Sequence, residues 1–197
     1  DIAGGPVPGP HPTGDRLPGY LYVVSASDSV TAPGAVYQYA VASDGTIAAM
    51  TPTTVPTGLA PGAVASDPLG HHLYVANGGD ATISQFAIGA GGTLTPLIPA
   101  VVPNPGNYSP GSGPSGMAVD PSGRFLYLAN QGSGTVAQFA IATDSTLSPL
   151  TPASVAAGLN PLSIVVEPSG HYAYVANFGP GNAVAAGSIT QYRLGSG

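Results

Sequence analysis

The chain repeats one pattern of two apolar runs four times, at intervals of about fifty residues. The first run has a tyrosine near its centre and occupies residues 21–25, 72–77, 125–130 and 172–177. The second run contains a glutamine and occupies residues 36–39, 83–86, 136–139 and 189–192. Repeats of this length that are filled with strand signals are typical of propeller blades or of a similar array. The repeat therefore predicts the architecture before any single residue suggests an activity.

The third copy is the best defined and predicts four strands. The segments 116–120, 125–130 and 135–141 supply three strands, and the fourth begins at Thr146. The turn Asp120-Pro121-Ser122-Gly123 has the type I pattern, in which proline presets φ at the second position. Alternation over 135–141 predicts a half-buried strand, and the prolines of the fourth strand predict an outer edge. With 29 Gly and 22 Pro as punctuation and no helical period, the sequence predicts an all-β protein.

The copies divide the chain into a proline-rich N-terminal arm, residues 1–19, and a repeat domain, residues 20–197. The domain is predicted to hold four blades of four-stranded antiparallel sheet, at approximately 20–58, 59–110, 111–157 and 158–197. The first copy lacks a clear first strand and the last stops where its fourth would begin, so both are predicted to be incomplete. The arm has room for one short strand around residues 2–7, and residues 103–113 are predicted to form a surface loop.

The segments 120–130 and 135–139, with their other copies, resemble the YncE-like and lactonase-type seven-bladed β-propellers, which include 6-phosphogluconolactonase. The resemblance extends from Leu21 to Leu194. It implies about seven blades, whereas this chain has room for four. It also implies that lactonase activity needs His, Glu and Arg side chains converging in a central channel. The only glutamate here is Glu167, in a turn, so the resemblance transfers no catalytic residue.

Charge is scarce in this chain. Only 6% of the residues are Asp, Glu, Lys or Arg, against about 25% in ordinary soluble domains. There is no lysine, the three cations are Arg16, Arg124 and Arg193, and the formal net charge is −6. A nucleic-acid surface needs clustered cations, so nucleic-acid binding is not expected. No apolar run approaches the roughly twenty residues of a membrane-spanning helix, so membrane insertion is not expected either.

The low charge also favours an exported protein. The chain begins at Asp1 rather than Met, and we expect an extracellular or cell-surface location with a signal peptide already removed. Cysteine is absent, so disulfides and thiolate metal sites are excluded. Asn107-Tyr108-Ser109 is a lone glycosylation sequon, and its use stays open.

Equivalent polar positions recur among the turns, and each set has a functional and a structural interpretation. The slot after the turn glycine holds His71, Arg124 and His171, which either form a ring on one face or lie exposed in turns. The acids Asp67, Asp120 and Glu167 either form an acid ring or accept N–H groups in their own turns, and the turn pattern favours the second. His72 neighbours His71 but points to the opposite face, and His11 is expected to be solvated.

The strands carry three further sets. The first set, at the ends of the second strands, is interpreted as hairpin caps that tolerate positive φ: Asn77, Asn130 and Asn177. The second set is interpreted as packing between blades rather than as a sugar-stacking ring: Tyr22, Tyr74, Tyr127 and Tyr174. The third set is interpreted as buried or cross-blade hydrogen-bonding residues: Gln38, Gln85, Gln138 and Gln191. The sequence therefore assigns no catalytic, cofactor-binding or metal-binding residue.

These observations lead to a prediction and two alternatives. The prediction is a non-enzymatic extracellular scaffold of propeller blades, whose copies complete one another's sheets in a filament or ring. Its partners would be copies of itself, and no small-molecule ligand is identified. The alternatives are a fragment of a lactonase-like propeller enzyme, or a ligand-binding or adhesion module that uses the loop at 103–113.

Overall fold

The computed structural model describes residues 19–26, 32–105, 113–180 and 186–195. In these residues the chain forms fourteen β-strands and no helix. It follows that no described segment is a helix long and apolar enough to cross a membrane. The predicted arm, the possible strand at 2–7, His11, Arg16 and the sequon at Asn107 lie outside the described residues, apart from Gly19, which begins the first strand.

The strands form four antiparallel sheets in chain order. The first sheet consists of β1 (Gly19–Ser25), β2 (Pro33–Val41) and β3 (Ile47–Leu59). The second consists of β4 (Pro61–Ser66), β5 (His72–Asn77), β6 (Thr82–Ile88) and β7 (Leu94–Pro103). The third consists of β8 (Pro114–Val119), β9 (Phe125–Asn130), β10 (Thr135–Ile141) and β11 (Leu147–Ala156). The fourth consists of β12 (Pro161–Val166), β13 (Tyr172–Asn177) and β14 (Ser188–Arg193).

The strand counts of three, four, four and three confirm the predicted propeller blades with incomplete first and last copies. Each sheet is a simple meander, because the strand order within it follows the sequence. By position in the sequence repeat, β1 corresponds to β5, β9 and β13. Among the described residues, the first sheet therefore lacks the first strand of the repeat. The fourth sheet lacks the fourth strand there. The proline-containing strands β7 and β11 are outermost, as their prolines predict.

Three apolar clusters fill the spaces between neighbouring sheets. Tyr74, Ile83 and Phe139 are among the residues of the cluster between the second and third sheets. Similar clusters lie between the first and second sheets and between the third and fourth. The alternation over 135–141 predicted one buried face, but Val136 and Ala137 are both buried. The prediction of a half-buried strand is wrong here because an inner sheet packs against a neighbour on each face.

The first strands of the last three sheets lie close together at the inner side of the array. A Cβ atom on Gly116 of β8 would lie 2.8 Å from the Cα atom of Ser163 on β12. A Cβ atom on Gly62 of β4 would lie 2.8 Å from the carbonyl oxygen of Pro114. Only glycine permits so close an approach of two backbones. These close contacts hold the neighbouring sheets against each other at their first strands.

Candidate functional site

Two of the four recurring glutamines, Gln38 and Gln85, join neighbouring sheets, as predicted. Gln38 Oε1 of the first sheet accepts the N–H of Leu94 at 2.7 Å, and Leu94 begins the outer strand of the second sheet. Gln85 Oε1 accepts the N–H of Leu147, at the start of the outer strand of the third sheet, also at 2.7 Å. The Nε2 groups of Gln38 and Gln85 donate to carbonyl oxygens of their own sheets. Gln38 and Gln85 thus each bind their own sheet and the outer strand of the next one, whereas Gln138 bonds within its own sheet and Gln191 is exposed.

Two of the recurring tyrosines donate hydrogen bonds to the same outer strands that the glutamines bind. The hydroxyl of Tyr22 donates to the carbonyl oxygen of Gly92 at 2.5 Å, and that of Tyr74 donates to Ser145 at 2.8 Å. The accepting residue precedes the bound leucine by two positions in both cases. Tyr74 is fully buried within the cluster between the second and third sheets. The interpretation as packing between blades is confirmed for Tyr22, Tyr74 and Tyr127, which belong to or pack against the clusters between the sheets. Tyr174 is half-buried and belongs to none of these three clusters.

We call the space that receives each outer strand a groove. The first groove, at Tyr22 and Gln38, holds Leu94, and the second groove, at Tyr74 and Gln85, holds Leu147. The third groove lies at Tyr127 and Gln138, between the third and fourth sheets, and is a cavity of about 360 Å³. In the described part of the chain no outer strand enters it, because the fourth sheet ends at β14 there.

A second, more polar cavity adjoins the third groove. It has a volume of about 690 Å³ and is lined by Arg124, His171 and Arg193. Both arginines that the structure describes therefore line one cavity, together with one of the histidines. The only ion pair within the described residues joins His72 to Asp67, so neither arginine is paired with a carboxylate. Guanidinium groups that lack a carboxylate partner are suited to binding an anion. We call this space the polar cavity.

The acid of each turn accepts backbone N–H groups of the strand that follows, which confirms the turn interpretation. Asp120 Oδ1 accepts the N–H groups of Arg124 and Phe125 at 2.8 and 2.7 Å. Glu167 Oε1 accepts those of His171 and Tyr172 at 2.8 and 3.2 Å, and Asp67 Oδ1 makes the equivalent bonds at 2.7 and 2.9 Å. The acids thereby fix the backbone of the slot that carries His71, Arg124 and His171.

In the fourth sheet a hydrogen-bonded chain also orients the histidine side chain. The hydroxyl of Ser169 donates to Glu167, and its oxygen lies 2.7 Å from Nδ1 of His171. Because the serine has one hydrogen and gives it to the carboxylate, its oxygen must accept a hydrogen from Nδ1. In the neutral imidazole with its hydrogen on Nδ1, the other nitrogen, Nε2, carries no hydrogen and can accept a proton. Hydrogen bonds, chiefly from the Ser169 hydroxyl, lower the pKa of Glu167 to about 2, so the carboxylate is ionised at neutral pH.

The third sheet contains the same arrangement with an arginine in the place of the histidine. The hydroxyl of Ser122 donates to Asp120, and Nε of Arg124 donates to the Ser122 oxygen at 3.3 Å. The guanidinium carbon of Arg124 lies 5.3 Å from the ring centre of Phe125. The second sheet has Leu69 in place of the serine, and His71 is not among the residues that line the polar cavity. All three slot residues, His71, Arg124 and His171, lie exposed in their turns, and two of them, Arg124 and His171, line the polar cavity.

The recurring asparagines do not have the backbone predicted for them. Asn77, Asn130 and Asn177 are buried, and the described non-glycine residues with positive φ are Ala60, Ala81, Ser145 and Asn160. The positive-φ interpretation is wrong because each asparagine is the last paired residue of a strand. The amides of Asn77 and Asn177 bond within their hairpins, and Asn77 Nδ2, for example, donates to Thr82 and Ser84 at 3.0 and 2.9 Å. Asn130 Oδ1 instead accepts from Asn104 Nδ2 at 2.7 Å.

Sequence reasoning missed Arg193, Ser122 and Ser169. Arg193 ends β14, and its place beside the turns of two sheets depends on how the sheets pack. The two serines did carry a signal, because Asp/Glu-Pro-Ser-Gly followed by Arg or His occurs at 120–124 and 167–171 only. No group of three or more His, Cys, Asp or Glu side chains within the described residues could hold a metal ion.

Residues 33–191 match the family described as lactonase, 7-bladed beta-propeller. The chain belongs to this lactonase family of seven-bladed β-propellers. No curated protein matches it. The match covers the four described sheets except for β1 and the last residues of β14, so the family assignment and the fold agree.

Solved structures with the same fold come from several bacteria. A protein from Lactobacillus plantarum is 20% identical with a TM-score of 0.68, over 89% of this chain and 51% of that one. A candidate 6-phosphogluconolactonase from Bacteroides fragilis is 18% identical with a TM-score of 0.62, over 81% and 48%. The periplasmic gluconolactonase of Pseudomonas aeruginosa is 20% identical with a TM-score of 0.52, over 80% and 60%. This lactonase-family chain thus spans about half the length of these structures.

The family match overturns the prediction of a non-enzymatic, self-assembling scaffold and supports the alternative of a lactonase-like propeller fragment. That prediction rested on the incomplete first and last sheets. A chain that spans about half the length of its structural relatives shows incomplete sheets without any second copy. Incompleteness is therefore no evidence that sheets are completed between copies.

Proposed function

We propose that this chain acts in the hydrolysis of a lactone, the cyclic ester of a sugar acid, and that the lactone binds in the polar cavity. The observation that carries the proposal is the match of residues 33–191 to the lactonase family. Two of the solved relatives are named for gluconolactone or its 6-phosphate. At their low identity they share the fold, and their names supply the substrate class to be tested.

The arrangement at His171 suits the first step of ester hydrolysis. Nε2 of His171 takes a proton from a water molecule while the water oxygen forms a bond to the lactone carbonyl carbon. The ring C–O bond then breaks, and the imidazolium returns the proton to the departing ring oxygen. The products are the carboxylic acid and a free hydroxyl group of the sugar. Ser169 and Glu167 are positioning residues, since they hold Nδ1–H of the imidazole and stabilise its positive charge.

The two arginines can stabilise the negative charge that develops during the reaction. Attack on the carbonyl carbon places negative charge on the carbonyl oxygen, and a guanidinium group is a strong donor to such an oxygen. Arg124 is assigned this role because Ser122 and the face of Phe125 orient it. Arg193 lines the same cavity without a carboxylate partner and is assigned to a second anion, such as a phosphate on the sugar. This assignment predicts a preference for phosphorylated lactones.

The test is the hydrolysis of gluconolactone and of its 6-phosphate by the purified chain, after subtraction of the spontaneous rate. Replacing His171 by Ala is expected to lower the catalysed rate by about a hundredfold or more, because the general base is lost. His71→Ala is the matched control, because His71 occupies the same slot in the second sheet and does not line the polar cavity. Arg193→Met is expected to reduce the preference for the phosphorylated substrate. Equal rates for the His171→Ala and His71→Ala chains would contradict the assignment.

A further inference from the structure

The turns of the third and fourth sheets are in direct contact beside the polar cavity. A Cβ atom on Gly170 would lie 3.8 Å from Cδ of Pro121, an ordinary van der Waals distance. The two turns carry Arg124 and His171 in the same slot, and both side chains are exposed and line the cavity. Because the backbone N–H of each slot residue is bonded to the acid of its own turn, the two slots are held side by side.

The charges around His171 favour an anionic ligand. The ionisable groups that surround it come from its own turn, the turn of the third sheet, β9 and β14, and they are Glu167, Asp120, Arg124, Tyr127 and Arg193. Each of the two carboxylates accepts three backbone N–H groups of its own turn. Neither arginine has a carboxylate partner within the described residues. Burial raises the pKa of Tyr127, so its phenol is neutral at neutral pH. A protonated His171 would therefore add a positive charge beside two guanidinium groups.

Hydrolysis of a lactone changes the charge of the molecule in this cavity. The water oxygen joins the carbonyl carbon, the ring C–O bond breaks, and one hydrogen of the water ends on the released ring oxygen. The other hydrogen stays on the new carboxylic acid. Carboxylic acids are stronger acids than imidazolium, since a carboxyl group has a pKa of about 4 and an imidazole one of about 6.5 in short peptides. The acid therefore gives this proton to the unprotonated Nε2 of His171.

We propose that the polar cavity binds the sugar acid as a carboxylate paired with a protonated His171, so that the product inhibits its own formation. The protonated ring donates from Nδ1 to Ser169 and from Nε2 to the bound carboxylate. The guanidinium group of Arg124 donates to the same carboxylate. A protonated His171 cannot act as the general base, so the acid must leave before the next turnover. The inference rests on the proposed function for the identity of the ligand.

Proton NMR of the purified chain tests this pairing, with gluconate as the probe. Gluconate stays ionised while imidazoles titrate, so changes with pH report the protein. The imidazole resonances are followed through a pH titration with and without saturating gluconate, and the His171 resonance is assigned by its loss in the His171→Gln chain. An opposite charge in contact favours the protonated imidazole, so we expect gluconate to move the midpoint of the His171 titration upward by about one pH unit. By linkage, gluconate affinity should fall about tenfold as the pH rises through this titration.

The chain and the ligand each offer a matched control. His71 occupies the same slot in the second sheet and does not line the polar cavity, so its midpoint should not move. Gluconamide has the hydroxyl groups of gluconate without its charge and should leave the His171 midpoint unchanged. Arg124→Gln is expected to weaken gluconate binding about tenfold, because it removes a charged donor. An unmoved His171 midpoint, equal shifts of His71 and His171, or equal shifts with gluconamide would each overturn the proposal.

Failure of the proposed function gives a different result. If gluconate moves the His171 midpoint and the chain hydrolyses no lactone, the sugar-acid site stands and the lactonase assignment fails. If hydrolysis depends on His171 and gluconate leaves its midpoint unmoved, the product pairing alone is overturned.

Discussion

The second and third grooves have the same glutamine and tyrosine, yet these side chains face different surroundings. In the second groove Gln85 and Tyr74 hold Leu147, and both are fully buried. In the third groove Gln138 is half-buried and Tyr127 lines a cavity. The surrounding side chains are closely similar, and the difference is that the described residues include an outer strand in the second groove and none in the third. The buried hydrogen bonds of the second groove therefore depend on the outer strand of the neighbouring sheet.

The largest expected effect concerns two leucines of the same strand, β11. Leu147 is seated in the second groove, whereas Leu150 faces the third groove and is half-buried. Leu147→Ala is expected to lower the free energy of unfolding by about 2–5 kcal/mol, because it removes buried contacts and leaves a cavity. Leu150→Ala should cost about 1 kcal/mol, since much of its side chain already meets solvent. Urea unfolding of the two variants measures the difference, and equal losses would show that both grooves are filled.

The glutamines give the next largest contrast. Gln85→Ala leaves the buried N–H of Leu147 and the part-buried carbonyl of Pro99 without their partner. Each unsatisfied group costs about 1–3 kcal/mol, so we expect a loss of about 2–4 kcal/mol in the free energy of unfolding. Gln138→Ala affects one carbonyl in an exposed contact and should cost less than about 1 kcal/mol. If Gln138→Ala were the more damaging variant in thermal unfolding, an occupant of the third groove would be required.

The tyrosine hydroxyls give a smaller contrast. Tyr74→Phe removes the hydrogen bond to Ser145 and should lower the free energy of unfolding by about 1 kcal/mol. Tyr127→Phe removes no hydrogen bond within the described residues and should change it by less than about 0.5 kcal/mol. Burial raises the pKa of both phenols. At neutral pH each substitution therefore removes a protonated hydroxyl, and chemical denaturation compares the two losses. A larger loss for Tyr127→Phe would contradict the comparison.

The smallest effect is expected at the turn beside the polar cavity. Hydrogen bonds from Ser169 and the following strand lower the pKa of Glu167 from 4.5 to about 2. The folded chain therefore releases this proton more readily than the unfolded chain. The stability that the ionised carboxylate supplies is complete above pH 4.5 and is lost as the pH falls towards 2. The unfolding temperature of Glu167→Gln should accordingly fall less than that of the original chain between pH 5 and pH 2. An identical fall in both chains would refute this role of Glu167.

Local sequence patterns predict much of the fold because the signals are confined to one strand or turn. The turn at Asp120 and the outer position of β11 follow from proline, glycine and carboxylate chemistry at fixed spacing. The cross-sheet role of Gln85 also follows, because a polar residue that recurs in an otherwise apolar strand needs a buried partner. The burial of both faces of β10 does not follow from the sequence, since alternation shows residue type and not the number of neighbouring sheets.

The sequence predicts the polar cavity less well, because its residues come together only when the third sheet packs against the fourth. Arg124 and His171 share a slot in the repeat, but the repeat does not show that two neighbouring turns face one space. Arg193 belongs to a different part of its repeat and has no equivalent cation in β6 or β10. The serine of Glu167-Pro168-Ser169-Gly170 fits a turn without further explanation. Its contact with His171 depends on the side-chain geometry that follows the turn.

Hydrogen–deuterium exchange of the unliganded chain compares the second and third grooves most directly. The backbone amides of β10 pair with β11, whereas those on the outer side of β14 have no described partner strand. If the third groove is open, β10 should be strongly protected and the outer-facing amides of β14 should exchange much faster. Equal protection of β10 and β14 in the isolated chain would contradict this difference, because β14 would then already be paired with a fourth strand.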